Sequence, residues 1–428
     1  MGRFGPSLGG IALFGFVVRV VYVRTFAAHI HTGLDTIWYQ LVSATVRSGD
    51  GYVDPAKFFG TPHVAVATAF RPPLYPAFLA GVGWLVGGST HDFRLAGCVA
   101  GVITVALIGL IGRRVAGDAV GLTAAAIASV YPAFLGVDAA VMSETVYVPL
   151  VTACVLAVYR ATDKPTVRRW LLVGGLVGAA VLTRSDALAL IVLLMVPAAL
   201  VGSPVALQRR VLLAAAGLCA CALVVTPWVV RNQQQLGTAS IATLQSGTAL
   251  AGANCPATYH GTLLGSWSFE CARRADEDTV TEVARNAELR HDAKAYMLGH
   301  LNRLAVVVPV RILREWGLFD PIGEARLDAI ESRNVRWQIV SWATYLPVAA
   351  LSVYGFLLLR RRGAQLLPML SVALAVTTSG ALIYGGPRFR ITAEPVLVVG
   401  AAVALVHAVS VVRSRSVSDG DRAASVDR

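Results

Sequence analysis

Charge is scarce in this chain. Only 14% of its 428 residues are charged, whereas 56% are apolar, and the mean hydropathy is +0.63. A soluble protein of this length carries more charge, so the composition predicts a polytopic membrane protein. The net charge of +12 does not indicate nucleic-acid binding, because the basic residues stand in short clusters between apolar runs, as in cytoplasmic loops.

Familiar catalytic motifs are also missing. The sequence contains no P-loop, no GxSxG and no HExxH, and it has no internal repeat. His29, His31 and His63 could ligate a metal, but their spacing does not require one, and solvated or aromatic-packed histidine is the better interpretation. We therefore predict no metal and no other cofactor.

Cysteine is sparse, with six residues in the whole chain. Cys255 and Cys271 share a polar segment, and their spacing allows a disulfide if that segment faces an oxidising compartment. The remaining four lie in apolar stretches, where they are interpreted as small buried side chains: Cys98, Cys154, Cys219 and Cys221.

The apolar runs predict an all-α bundle. A spanning helix needs about twenty mostly apolar residues, and about ten segments qualify: 9–28, 94–112, 119–137, 143–159, 170–184, 187–202, 211–229, 337–358, 365–385 and 391–412. Residues 74–86 and 304–313 form shorter runs beside Pro, Arg and Trp, so we expect helices that lie in the membrane interface.

The positions of the basic clusters predict the orientation. With both termini in the cytoplasm, most Arg and Lys clusters fall on the cytoplasmic side. The chain then divides into an N-terminal transmembrane core with a first outer loop, an outer loop domain between helices 7 and 8, C-terminal helices and a disordered tail. The N-terminal core is residues 1–231, and its first outer loop is 29–93. The outer loop domain is 232–336, the C-terminal helices are 337–412 and the tail is 413–428.

The first outer loop carries a candidate catalytic acid. Asp35 follows the first span by a few residues and precedes Trp38 and Tyr39. A carboxylate beside aromatic rings at a membrane surface suits a general base for a hydroxyl, with the rings as stacking platforms for a sugar or acceptor. The alternative is that Asp35 only caps a helix.

Several further polar residues fall at helix ends on the same predicted side. Arg71 lies in a stiff Arg-Pro-Pro-Leu-Tyr-Pro turn, and Glu144 opens a later span. Arginines at such helix ends suit a phosphate, although membrane anchoring or anionic headgroups would explain them too. Candidates for donor phosphate are Arg71, Arg231, Arg388 and Arg390, and candidates for sugar or acceptor binding also include Tyr75 and His63.

Five features in this order carry a family resemblance. They are the acid after the first span, the turn at Arg71, Ser143-Glu144, Pro227-Trp228 with Arg231-Asn232, and the late Arg388-Phe389-Arg390. Over residues 9–400 the chain resembles the GT-C superfamily of membrane glycosyltransferases. It is most similar to the branch of the protein O-mannosyltransferases and the aminoarabinose lipid A transferases.

The resemblance implies a bundle of the GT-C type. It also implies a plasma-membrane enzyme that moves a hexose or pentose from a polyprenyl-phosphate donor to a glycan, lipid or protein hydroxyl outside the cell, with inversion. Asp35 matches the acidic residue of the family's first loop, without an adjacent acidic partner, and Glu144 matches a second acid. Oligomeric state is left open.

Two alternatives remain beside a transferase. A transporter or flippase of lipid-linked sugars would be expected to show repeats and broken helices at mid-membrane. A non-catalytic assembly factor would leave Asp35 dispensable.

Overall fold

The computed structural model describes residues 3–30, 32–202, 204–241, 243–273, 280–331 and 333–426, so His31 lies outside the described residues. Within these ranges the protein is helical and contains no β-strand, only an isolated bridge between Val53 and Ala67. The all-α prediction is confirmed.

All ten predicted spans correspond to helical segments. Six are long and apolar enough to cross a membrane: Phe4–Thr25, Thr90–Ala116, Glu144–Asp163, Leu207–Leu236, Val335–Arg361 and Glu394–Ser414. A seventh is a pair bent by 59°, Asp118–Val130 with Pro132–Asp138, where Pro132 starts a new helix. The other three are shorter: Val167–Thr183, Ser185–Val201 and Leu367–Leu382. By length and composition, six or seven spans qualify within the described residues, and the predicted count of about ten stays a prediction.

Small residues let the bundle helices approach closely. Leu207–Leu236 packs along Val167–Thr183, and a Cβ added at Gly174 would lie 2.0 Å from the carbonyl oxygen of Gly217. Such contacts are typical of membrane helices, where close backbone packing replaces the hydrophobic effect. The main cluster of buried apolar side chains lies inside this bundle and holds the ends of the helices in fixed positions.

The first loop and the 232–336 segment fold against each other. The first loop contains the helices Ala27–His29, Leu34–Ser48, Pro55–Phe58 and Leu74–Val86. The later segment contains Ser246–Ala253, Pro256–Tyr259, Gly261–Leu263, Phe269–Ala272, Glu282–Gly299, Leu301–Glu315, Pro321–Leu327 and Asp328–Glu331, and Pro387–Arg390 follows between the last two long helices.

Two predicted boundaries differ in the structure. The helix Leu207–Leu236 has Pro227 inside it and still continues beyond residue 231, because no further Gly or Pro follows until Gly237, which adopts a left-handed conformation. The last helix runs from Glu394 to Val426 and so includes most of the tail, whose predicted disorder stays a prediction. Since no proline follows the span, the backbone can continue as a helix.

The two short apolar runs form the helices Leu74–Val86 and Leu301–Glu315. At about 1.5 Å per residue neither reaches across the ~30 Å hydrocarbon core. Their place in the membrane interface stays a prediction.

Candidate active site

Asp35 and Arg71 form the centre of the candidate site. Asp35 lies in the first turn of the Leu34–Ser48 helix, and its Oδ1 accepts a hydrogen bond from Nη2 of Arg71. Arg71 also donates from Nη1 to the Tyr39 hydroxyl at 3.1 Å. Its guanidinium lies over the rings of Trp38 at 5.5 Å and Tyr39 at 4.9 Å, so aromatic faces hold the cation in place.

Arg388 links this pair to the far end of the chain. Its Nη2 lies 3.5 Å from Oδ2 of Asp35, and its Nε donates to Oε1 of Glu144 at 3.0 Å. Its Nη1 lies 3.8 Å from Glu331. Residues that are far apart in sequence therefore meet in one charged cluster.

Glu144 lies behind the arginines, with its side chain only 1% exposed. It accepts from Arg388 and from Nη1 of Arg184 at 2.9 Å. Arg184 in turn binds Asp186 at 3.1 Å. In this arrangement Glu144 fixes two guanidinium groups rather than facing open space.

Part of the charged cluster borders a cavity of about 730 Å³. Its charged lining consists of three arginines and two aspartates, namely Arg71, Arg184, Arg388, Asp35 and Asp186. Tyr384 and Phe389 add aromatic walls. Glu144 lies directly behind Arg184 and Arg388, so three carboxylates in all balance the three arginines. A phosphodiester anion would bind here by competing with carboxylates for the guanidinium groups.

The arginines stay charged in this setting. Burial acts to lower the pKa of Arg71, Arg184 and Arg388, but the neighbouring carboxylates outweigh it and raise each pKa above the usual value. Burial and the negative charge of Asp35 raise the pKa of Glu331.

Several predicted site residues lie elsewhere. Arg390 donates to Glu394 at 2.8 Å and stacks over Tyr345, because residues two apart on the helical turn Pro387–Arg390 point in different directions. Arg231 donates to the carbonyl oxygens of Thr68 and Tyr52, both at 2.6 Å, and so holds the first loop rather than lining the cavity.

The aromatic candidates also divide. Tyr39 lines the cavity, whereas Tyr75 is buried beneath it with the ring centroids 4.8 Å apart. His63 lies in the exposed part of the loop, 4.4 Å from the Phe58 ring, and does not reach the cluster. Trp38 does not line the cavity but contacts the Arg71 guanidinium with its ring.

Two members of the cluster do not follow from local sequence reasoning. The sequence predicts for Arg184 only a local ion pair with Asp186. Its position between two apolar segments could have indicated a functional charge. Glu331 lies in a polar stretch and gave no signal, since only tertiary packing brings it to Arg388.

Cys255 and Cys271 are joined by a disulfide, as the spacing allowed.

Comparison with known proteins supports the same fold. The family model described as dolichyl-phosphate-mannose-protein mannosyltransferase matches residues 70–230. That segment contains Arg71, Glu144 and Arg184. No curated protein sequence matches this chain.

The chain is similar to the archaeal oligosaccharyltransferase AglB from Archaeoglobus fulgidus, solved with an inhibitory peptide and a dolichol-phosphate. The TM-score is 0.55 at 15% identity, covering 97% of this chain and 52% of that chain. The apo form gives a TM-score of 0.59 with the same identity and coverage. ArnT from Cupriavidus metallidurans, bound to undecaprenyl phosphate, gives 0.46 at 15% identity over 92% of this chain and 77% of that one.

The chain thus spans about half the length of the AglB chains. The resemblance to the GT-C superfamily is confirmed, and the fold is of the GT-C type.

Proposed function

We propose that this protein is a membrane glycosyltransferase that moves a sugar from a polyprenyl-phosphate donor to a hydroxyl acceptor. The observation that carries the proposal is the cavity in which Arg71, Arg184 and Arg388 face the same space as Asp35. Such a transfer needs two groups from the protein near the reacting carbon: cations that bind the donor phosphate and a base that takes the acceptor proton.

The arginines suit the departing phosphate. When the bond between the anomeric carbon and the phosphate oxygen breaks, the phosphate keeps the electron pair and gains negative charge. Guanidinium groups that are already fixed in place stabilise this charge without having to reorganise. Glu144 keeps Arg184 and Arg388 oriented in this role.

Asp35 suits the general base. The acceptor oxygen forms the new bond to the anomeric carbon, and its proton passes to the carboxylate of Asp35. Attack from the face opposite the phosphate inverts the configuration at that carbon.

The ion pairs of Asp35 point to an order of events. Without donor, its two oxygens are paired with Arg71 and Arg388. A donor phosphate competes for both arginines, and its binding would release Asp35 to accept a proton. The base would then become available only when the sugar is in place.

Support for a lipid-linked donor comes from the fold and from a relative. The AglB structure of the same fold was solved with a dolichol-phosphate. In this chain, the long apolar helices of the bundle offer a surface for a polyprenyl tail. The proposed donor sugar is a hexose or a pentose, and the proposed acceptor is a glycan, a lipid or a protein.

We further propose that the site faces the outside of the plasma membrane. The disulfide between Cys255 and Cys271 supports this, because such bonds persist in oxidising compartments. The basic pairs at Arg113 and Arg360 fall on the opposite side in the predicted orientation, which agrees with the positive-inside rule.

The proposal is tested with purified protein in lipid nanodiscs and radiolabelled polyprenyl-phosphate hexoses and pentoses. We expect one donor to be consumed with release of polyprenyl phosphate. Absence of turnover with every donor, in the presence of a cell-envelope acceptor fraction, would count against the proposed function.

A further inference from the structure

A second cavity is bordered by Trp38 and Phe70. Its empty volume is about 820 Å³, and its lining includes Trp38, Phe70, Asp54, Lys57, Glu282 and Arg285. None of these six residues lines the cavity of the charged cluster.

Hydrogen bonds fix the walls of this second cavity. Glu282 accepts from the Thr68 hydroxyl at 2.6 Å and from the backbone N–H of Ala69 at 3.0 Å. The 232–336 segment is thereby tied to the backbone just before Arg71. The guanidinium of Arg285 lies 5.9 Å from the Phe70 ring centroid, so a cation from the same segment covers one aromatic wall.

The lining chemistry selects one class of ligand. Two carboxylates and two cations balance in charge, and two aromatic side chains accompany them. A lipid tail requires apolar walls, and a polyanion requires an excess of positive charge. Aromatic faces with charged hydrogen-bonding groups of both signs suit a neutral, hydroxyl-rich molecule, which presents donors, acceptors and apolar ring faces together.

The second cavity lies one layer of side chains from the charged cluster. Trp38 follows Asp35 by three positions on the same helix, so the two side chains are neighbours on its surface. The Arg71 guanidinium lies 5.5 Å from the Trp38 ring and 5.7 Å from the Phe70 ring. A ligand in this cavity therefore lies beside the helix that carries the proposed general base.

We propose that the second cavity binds a neutral saccharide, which is the acceptor of the transfer. The role of this saccharide as acceptor rests on the proposed function, whereas the binding of a saccharide in this cavity does not. The two cavities share no lining residue, so the two substrates would occupy separate spaces.

The test is saturation-transfer NMR on the full chain in nanodiscs. The probes are neutral hexose and pentose oligosaccharides of two to four units, with a sugar phosphate of similar size for comparison. Ala56→Trp places a large ring in the cavity from an exposed position, and Val64→Trp adds the same ring at an exposed position that does not line it. Thermal melting verifies that both variants are folded.

We expect a neutral oligosaccharide to bind the wild type. Ala56→Trp should reduce the saturation transfer at least about fivefold, which corresponds to about 1 kcal/mol, and Val64→Trp should leave it unchanged. Binding that Ala56→Trp does not affect, absence of binding by every neutral probe, or tighter binding of the sugar phosphate in this cavity would overturn the proposal.

The two proposals can fail separately. If the oligosaccharide binds here but no polyprenyl-phosphate sugar is consumed, the transferase function and the acceptor role fail, and the saccharide site stands. If donor is consumed and transferred equally by wild type and Ala56→Trp, the acceptor assignment fails and the transferase stands.

Discussion

Replacing Arg388 by alanine should separate the chemistry of the site from the stability of the fold. Arg388 contacts Asp35 at 3.5 Å and Glu144 at 3.0 Å, and it lines the cavity. Removing one preorganised donor from a developing negative charge costs about 10²- to 10³-fold in turnover, or roughly 3–4 kcal/mol. We expect a loss of this size in donor consumption by Arg388→Ala.

The structure also sets the expected cost in stability. Glu144 is buried and loses one of its two arginines, but Arg184 remains at 2.9 Å. Breaking a buried ion pair completely costs about 3–5 kcal/mol, so we expect a destabilisation of about 3 kcal/mol or less. A folded fraction measured by size-exclusion fluorescence allows turnover to be expressed per folded protein.

The matched control is Arg390→Lys, two residues away. Lysine keeps a positive charge beside Glu394, and the Arg390 side chain does not line the cavity of the charged cluster. We expect this variant to keep turnover per folded protein close to that of the wild type. Equal losses in both variants, or more than about a tenth of normal turnover in Arg388→Ala, would refute the assignment of Arg388 to the phosphate.

Four other predictions follow from the same structure. Burial raises the pKa of Glu282, so stability should fall as pH rises from about 4.5 through the raised pKa, and Glu282→Gln should flatten this dependence in thermal melts. Reduction of the disulfide, whose cysteines are 16 residues apart, should cost about 3 kcal/mol, and Cys271→Ser should abolish the effect of reductant. An excess of EDTA should leave donor consumption unchanged, since arginines already pair with the carboxylates of the cluster; loss of activity that Mg²⁺ or Mn²⁺ restores would contradict this. A cysteine at Ser89 should react with an impermeant maleimide from outside and one at Asp118 only after permeabilisation, and the same label on both without permeabilisation would show a wrong orientation.

The sequence predicts the gathering of the charged cluster because its main members lie at helix ends. Asp35, Arg71, Glu144 and Arg388 each stand where an apolar run begins or stops, and alternation of spans brings such ends to one side of a bundle. The structure joins them by direct ion pairs. The apolar runs likewise predict where the helices lie, although not which are long enough to span.

The direction in which a side chain points from a turn could not be predicted from the sequence in the same way. Arg388 and Arg390 have similar neighbours in sequence, but the short helix turns one toward Glu144 and the other toward Glu394. Glu331 reaches Arg388 only through folding of the 232–336 segment, for which hydropathy carries no signal. Local pattern predicts which helix ends share a side of the membrane, and packing decides which side chains meet.

In the proposed mechanism, Asp35 takes the proton of the acceptor hydroxyl. The decisive measurement is transfer of radiolabelled sugar from the polyprenyl-phosphate donor that the wild type consumes, compared between wild type and Asp35→Asn in nanodiscs. Asparagine keeps the size of the side chain and its oxygen toward Arg71, but it cannot take the proton of the acceptor. We predict that donor binding persists and that transfer falls by about 10²-fold or more. Full transfer by Asp35→Asn would contradict the account.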